Sequence, residues 1–447
     1  MVTVGTQGRA GIIKEAAFGD GGVADTFIEL ISESLKDNIE KMAAPYVFGS
    51  RNTHTHYHGA HDVGGSFSMV ANPDNIGLLL YMALGVEGNA NQVVGTQPEI
   101  TEITCEADVA GSLSGEYITL DAPGTEYYAW FDIDDLGSVD PAIAGKTGII
   151  VSAPVADLDT ATKVATAVAA AINAEADFGA GSAAAVVTVT NAANGAVADA
   201  TYGDTGWAGA PNVTQQGSGG LSYDHVFTPA GHGVDLGQFA MEIDRGENVF
   251  DYIGLKVNNM KLAAAKGSFL TADFDVLGKQ ETDNQAFAGI SPSGLKPYIF
   301  HHGMVKIDNA PVTYVNSFEF TYGNELDGDG GFVADGTAYR HHLNKQNGTL
   351  TGSMVCEWTA VSDALRDAYL DNTSKKIEFI FTSTDLIEAG YYYTLSIEIP
   401  KTHIMGDPPV ITGRERVPFT VNFEAYYDAT NFLKITHRDA KNVKWSA

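Results

Sequence analysis

The order of elements repeats along this chain, and that repeat constrains the fold more than any single motif does. In the first half a strand-like run, TFIELISESL, is followed by a long polar stretch, the strand GGSFSMVANPD, the helix IGLLLYMALG, and the paired strands IGLKVNNMKLAAA and GSFLTADFDVLG. In the second half VNSFEFTYGNEL leads through a polar stretch to GTLTGSMVCEWT, the helix SDALRDAYL, and the strands KKIEFIFTS, YYYTLSIEIPKT and VPFTVNFEAYYD. Identity between the halves is low. The repeat rests on element order, on helix placement and on a glycine-to-Ser-Met spacing, Gly64 to Met69 against Gly348 or Gly352 to Met354. Self-similarity of this kind marks a tandem duplication; two unrelated β domains with one helix each are the alternative that shares the same order.

The repeat becomes visible when residues 96–224 are taken out. That stretch is rich in Ala, Gly, Thr and Asp, nearly free of Lys and Arg, and bounded by GTQP and QQGSGG, which read as linkers. Within it EYITLDA, EYYAWFDID and GIIVSA alternate as strands, and Asp157 to Ala176 reads as an Ala-rich amphipathic helix with Val164, Val168 and Ile172 at four-residue spacing. VVTVTNAANG then returns as a strand entering a turn, so the stretch predicts a compact α+β insert. The division that follows is 1–95 with 225–290 as a discontinuous first β domain, 96–224 as the insert, and 296–447 as a second β domain, with GISPSGLKP at 289–297 as the joint. The helix of the first half is expected at Asp74 to Gly85, capped by Asn72-Pro73-Asp74 and stopped by Gly85; that of the second is expected at Val361 to Leu370, started by Ser362 or Asp363. The fold class is mainly β: two tandem sandwich or barrel domains, each with one flanking helix, plus the small α+β insert.

Composition sets limits on function. A chain of 447 residues is long enough for two or three cores, and 44% hydrophobic against 18% charged residues, with 49 glycines, suits β-rich folding and excludes disorder. Lys plus Arg number 26 and Asp plus Glu 56, a formal charge of −30 that repels phosphate backbones and argues against tight nucleic-acid binding. An acidic surface that only keeps the chain soluble carries the same charge. Cys105 and Cys356 lie far apart with no Cys-x-x-Cys partner, so they read as buried free thiols rather than a disulfide framework or zinc site. No apolar run approaches the roughly 18 residues that span a bilayer, and MVTVGTQGRAGIIKEAAFG lacks the segments of a secretory signal. Synthesis in a cytoplasm, without membrane association, is expected.

The sharpest local anomaly is Thr53-His54-Thr55-His56-Tyr57-His58-Gly59-Ala60-His61-Asp62. On a strand His54, His56 and His58 share one face and form a candidate transition-metal site; a polar hairpin strand at a subunit contact accounts for them equally. His301-His302 and His341-His342 point to opposite faces if they lie in strands and make poorer sites. Asp327-Gly328-Asp329-Gly330-Gly331 opens like a calcium loop, but position 338, where the twelfth-residue carboxylate belongs, is Ala; it reads as an Asx-rich loop tip. No nucleophile elbow, phosphate loop or dinucleotide fingerprint is present, so neither catalysis nor a cofactor is expected.

At GGSFSMVANPDNIGLLLYMALG (64–85), at FTPAGHGVDLGQFAMEIDRG (227–246) running into YIGLKVNNMKLAAAKGSFLTADFDVLGKQ (252–280), and at VNSFEFTYGNEL with LTGSMVCEW and LSIEIPKTHIMGDPPVITGRERVPFTVNFEA, the chain resembles the tail tube proteins of phages with long non-contractile tails. Each motif is diffuse; their sum covers most of the chain outside the insert, which itself resembles a small module recurring in phage virion proteins. The resemblance implies a β-sandwich flanked by a helix, a long hairpin or loop that bridges neighbours, and rings stacked around a lumen for genome DNA. A tandem copy implies trimeric, pseudo-hexameric rings, with hexamers the alternative, and an insert that projects outward. The implied partners are other copies of the chain, a tape measure protein and tail tip and terminator proteins, with DNA passing without specific binding; the implied location is the virion tail. Within it, Asp273, Asp275, Asn422 and Glu424 are the candidate lumen-lining residues, on strands whose polar face is acidic or small. A different class of function, an adhesin-like protein, would use Tyr127, Tyr128, Trp130 and Phe131 of the insert to contact a glycan or receptor, although alternation puts about half of them in a core.

Overall fold

The computed structural model describes residues 8–45, 52, 55–88, 91–92, 97–109, 111–133, 138–153, 160–217, 222–284, 286–359, 362–388, 390–406, 409, 411, 417–428 and 431–446. The chain is mainly β and divides into two compact units: Met1–Ala90, Asp224–Asp385 and Tyr392–Ala447 form one, and Asn91–Tyr223 with Leu386–Tyr391 the other. The first unit begins with β1 (Arg9–Lys14), β2 (Thr26–Ile28), β3 (Leu30–Glu33), β4 (Lys36–Ala43), β5 (His56–Val70), α1 (Ile76–Leu84) and β6 (Gly85–Glu87). The second unit holds β7 (Asn91–Gln92), β8 (Ile100–Thr104), β9 (Tyr117–Ala122), β10 (Thr125–Ile133), β11 (Thr147–Ala153), α2 (Ala161–Ile172), β12 (Phe178–Ala183), β13 (Val186–Asn191) and β14 (Asn212–Gln215). The chain then returns as β15 (Tyr223–Pro229), β16 (Phe239–Asp244), β17 (Val249–Ala265), β18 (Thr271–Gly278) and β19 (Gln280–Asn284). Last come β20 (Gly303–Ile307), β21 (Ala310–Val312), β22 (Val315–Gly323), β23 (Thr349–Glu357), α3 (Asp363–Leu370), β24 (Lys375–Glu388), β25 (Tyr391–Met405), β26 (Pro418–Ala425) and β27 (Lys434–Asp439).

In the larger unit one set of pairings occurs twice. β1 pairs with β2 and β16, as β20 pairs with β21 and β24. β5 lies between β3 and β18, as β23 lies between β22 and β26. β17 pairs with β18 and β19, as β25 pairs with β26 and β27. Superposing these registers puts Ser68-Met69 opposite Ser353-Met354, the pair singled out in the sequence, and Met69 and Met354 are both fully buried. The two sets meet where β17 pairs antiparallel with β22, from Asn259↔Gly323 to Ala265↔Ser317. The result is a continuous run of strands, β5-β18-β17-β22-β23-β26-β25. Alternation assigns its faces: Phe67, Phe274, Met260, Leu262, Phe320, Met354 and Phe423 turn into the core.

The helices are shorter than the sequence predicts. α1 starts at Ile76, with Asn75 rather than Asn72-Pro73-Asp74 at the capping position and no side-chain cap there. Asn72 instead closes a turn, its Oδ1 accepting from the Asp74 amide at 3.1 Å and its carbonyl from the Ile76 amide at 3.1 Å. Gly85 ends the helix in the left-handed region at φ 83°, its amide returning to the Tyr81 carbonyl. α2 runs from Ala161, capped by Thr160, to Ile172, because the Ala174 and Glu175 amides bond three residues back and tighten the chain into turns. Positions 157–159 of its expected start, and Val361 of α3, lie outside the described residues; α3 begins after Ser362.

In the smaller unit β9, β10 and β11 form one sheet, with β10 and β11 parallel, and β12-β13-β8-β14 form a second. Val164, Val168 and Ile172 of α2 join Ile118, Phe131 and Val187 in its core. Cys105 and Cys356 are buried free thiols, and burial pushes both up to about 12.

Candidate functional site

The face of the seven-strand sheet turned away from the core is polar across its width. Direct cross-strand pairing defines one row, Ser68-Asp273-Lys261-Thr321-Thr351-Glu424-His403. A second row runs Thr271-Ala263-Glu319-Ser353-Asn422-Met405, and a third begins Ser66-Asp275-Asn259. The four residues chosen from the sequence, Asp273, Asp275, Asn422 and Glu424, therefore stand on one face of one sheet. They also occupy equivalent places in the two halves: Asp273 faces Ser68 as Asn422 faces Ser353, and Asp275 faces Ser66 as Glu424 faces Thr351.

Lys261 and Glu319 belong to the same face and escaped the sequence reading, because only the β17-β22 register brings them together. Their side chains pair at 2.7 Å, both well exposed. Asn259 donates to Asp275 at 3.2 Å and Tyr426 to Glu424 at 3.3 Å. Four carboxylates against two ammoniums, Lys261 and Lys401, leave the face net negative, and exposed pairs of this kind contribute little to stability, roughly 0–1 kcal/mol. A shallow depression lies on it between Thr271, Ala263, Glu319 and Ser353, and otherwise the arrangement is a broad acidic surface.

The other sequence candidates disperse. His56 and His58 lie exposed at the start of β5, and His54 lies outside the described residues. Among the described residues no group of three or more His, Cys, Asp or Glu side chains is placed to hold a metal. His301 and His302 form a 3-10 turn rather than a strand, and His341 sits in a loop with Asp335 at 2.9 Å. Asp327 Oδ1 accepts the Gly330 amide at 2.8 Å, an Asx turn. In the insert Tyr127, Tyr128, Trp130 and Phe131 are all buried, at 7%, 3%, 6% and 0% exposure; Tyr127 and Phe131, half of them as alternation predicts, belong to the core that α2 packs on, and none of the four offers a broad contact surface to a glycan or receptor. Tyr128 and Trp130 alternate to the opposite face of β10, where Tyr128 donates to Asp140 at 2.5 Å.

Two long polar stretches that read as independent loops in the sequence touch. The His61 amide donates to the Ala338 carbonyl at 2.9 Å and its ring lies 4.7 Å from that of Tyr339. Arg340, 3% exposed, pairs with Asp62 and donates to the Val63 and Gly278 carbonyls, each at 3.0 Å.

Among the described residues no helix is long and apolar enough to cross a membrane. No curated protein matches the chain. A family model described as phage tail tube protein matches residues 5–425, which takes in both halves of the repeat and the insert between them. That family is structural, not a family of enzymes. With a mainly β fold and a sheet whose pairings repeat, the chain belongs to the phage tail tube protein family, and so to the virion tail.

Proposed function

We propose that three copies of this chain close a ring by continuing the seven-strand sheet from copy to copy, that rings stack into the tail tube, and that the acidic outer face lines the channel through which genome DNA leaves. The seam between β17 and β22 carries this reading. Inside one chain the last strand of the first half accepts the first strand of the second. At the ends of the sheet the same chemistry recurs, since β25 stands where β17 does and β3 where β22 does. Joining β25 of one copy to β3 of the next repeats the seam, with Met405 at the place of Lys261 and Ser34 at that of Thr321. Met405 and Ile31, at these two ends, are 47% and 55% exposed in the single chain. An edge completed by a neighbour's strand is a heterologous contact, which closes when the rotation allows.

With β3, which pairs with β5 beyond the seven-strand run, each half contributes four strands, so three chains supply a wall of about 24 strands, at about 4.8 Å spacing a circumference of about 115 Å. Negative charge on that wall repels phosphates and lets a duplex pass without binding. In this reading residues 1–95 with 225–290 and residues 296–447 are the two tail tube domains. The insert, 96–224, projects outward because a body of 129 residues does not fit a lumen or a ring contact. Tape measure, tip and terminator proteins are the expected partners at the lumen and the tube ends.

Negative-stain electron microscopy of the concentrated protein, with its mass in solution, tests the reading. Hollow tubes with a regular axial repeat, or closed rings of three chains, are expected; six-chain rings correct the stoichiometry, and monomers that never associate overturn the proposal.

A further inference from the structure

The charge of the chain is unevenly placed. Residues 96–224 hold 2 of its 26 cationic side chains, Lys146 and Lys163, and 18 of its 56 acidic ones, a formal charge of −16. More than half of the −30 therefore sits on 129 of 447 residues, while the other 318 carry −14. By the measure of roughly 2–8 net charges per small domain, that −14 already serves to keep the single chain soluble, and solubility leaves the insert's share unexplained.

In the smaller unit the charge is held at the surface. Apolar side chains from both sheets and from α2, Ile118, Phe131, Val164 and Val187 among them, gather in one core. Glu106, Glu126, Asp140, Asp199 and Asp204 are exposed. Lys146 is held by Asp121 at 2.8 Å and Glu126 at 3.0 Å, two carboxylates to one ammonium, so its charge is already matched within the unit. Thr162, Thr166 and Ala170, on the exposed face of α2, add no charge of their own.

A tube presents the same outer surface once per copy along its whole length. An attraction of a few tenths of a kcal/mol per copy, too weak to pair single chains, adds up over many copies into lasting side-by-side contact. Repulsion adds up in the same way, and it acts over about a Debye length, about 30 Å at 0.01 M salt and about 10 Å at 0.1 M. We infer that the insert is an electrostatic spacer, an acidic coat that keeps assembled tubes from bundling. This rests on the tube reading with the insert outermost, and it assigns that placement a job.

Two full-length variants test it. One carries Lys, the other Glu, at Thr162, Thr166, Ala170, Ala174, Ala193 and Ala196, six positions exposed in the single chain. Six lysines bring the insert to −10 and give α2 a basic face that the acidic coat of another tube attracts; six glutamates bring it to −22 with side chains of comparable bulk. Melting and solubility of the unassembled chains should match wild type. At about 0.01 M salt most Lys-variant tubes should pellet at a speed that leaves wild-type and Glu-variant tubes suspended, and electron micrographs should show them side by side; raising salt to about 0.5 M should disperse them again. Lys-variant tubes as dispersed as wild type, or Glu-variant tubes that bundle alike, overturn the spacer and leave the ring reading standing. Lys-variant chains that precipitate before they assemble also overturn it, because the charge would then serve the single chain. A wild-type protein that forms neither rings nor tubes overturns both.

Discussion

His225 holds the C-terminal segment of the larger unit in place. It is fully buried, with Nδ1 2.8 Å from Glu87 and Nε2 3.1 Å from Asp439 and 2.9 Å from the Lys441 carbonyl. Around it, Trp445 donates its indole N–H to Asp439 at 3.0 Å, the Trp445 and Ser446 amides donate to Glu87, and His437 Nδ1 stands 3.3 Å from Asp439. Burial works against a charged His225 ring, but the bonds to Asp439 and Glu87 outweigh it and raise its pKa to about 9. Burial likewise opposes the two carboxylates, and the bonds from His225 and its neighbours hold both below their ordinary values. A histidine pKa raised on folding stabilises fully below its unfolded value, about 6.5, and that stabilisation is lost as pH rises through 9; lowered carboxylates lose theirs only as pH falls below about 4. Thermal stability should therefore be greatest between about pH 5 and 6.5 and decline toward pH 9. In His225→Leu the alkaline decline should flatten and about 3 kcal/mol be lost at pH 6, read from denaturant melts at several pH values. A wild-type midpoint flat from pH 6 to 9 contradicts this. None of it was legible in the sequence, because His225, Glu87 and Asp439 come from positions more than a hundred residues apart and carry no spacing pattern.

Helices and strands were more readable than their ends. The alternation of β5, β17, β18, β23, β25 and β26 and the apolar run of α1 identified those elements, since burial on one face leaves a periodic trace. The start of α1 falls two residues later than the sequence predicts because local bonds of Asn72 compete with capping, while α3 starts after Ser362 as expected. The docking of α1 gives a prediction. Gly77 leaves the room that the Trp445 ring fills: a Cβ there would fall 2.4 Å from Trp445 Cε2. Gly77→Val should displace the indole, cost about 1–3 kcal/mol and shift tryptophan emission to longer wavelength. Unchanged emission and stability would show that the tail does not seat on the helix.

Across the larger unit the consequential feature is the acidic sheet face, and charge reversal examines it without disturbing the core. Asp275 and Glu424 project from strands whose opposite faces are packed, so Asp275→Lys with Glu424→Lys should change stability by no more than about 0.5 kcal/mol and leave assembly intact. Tubes of the variant should retain double-stranded DNA at low salt and release it as salt rises, whereas wild-type tubes should not retain it. Equal behaviour of the two would place this face elsewhere than the channel. The sequence alone determined the strand-rich class, and it offered the repeat of element order, the inserted stretch and the candidates Asp273, Asp275, Asn422 and Glu424, because periodicity and composition are local properties that survive in one dimension. Only the tertiary structure decided that those four residues share one face, that Lys261 and Glu319 join them, and that α1 is almost wholly buried while α3 buries only Leu365 and Ala368. These depend on the register between β17 and β22 and on which segment folds back over which half, and a register one residue different would turn every side chain to the opposite face.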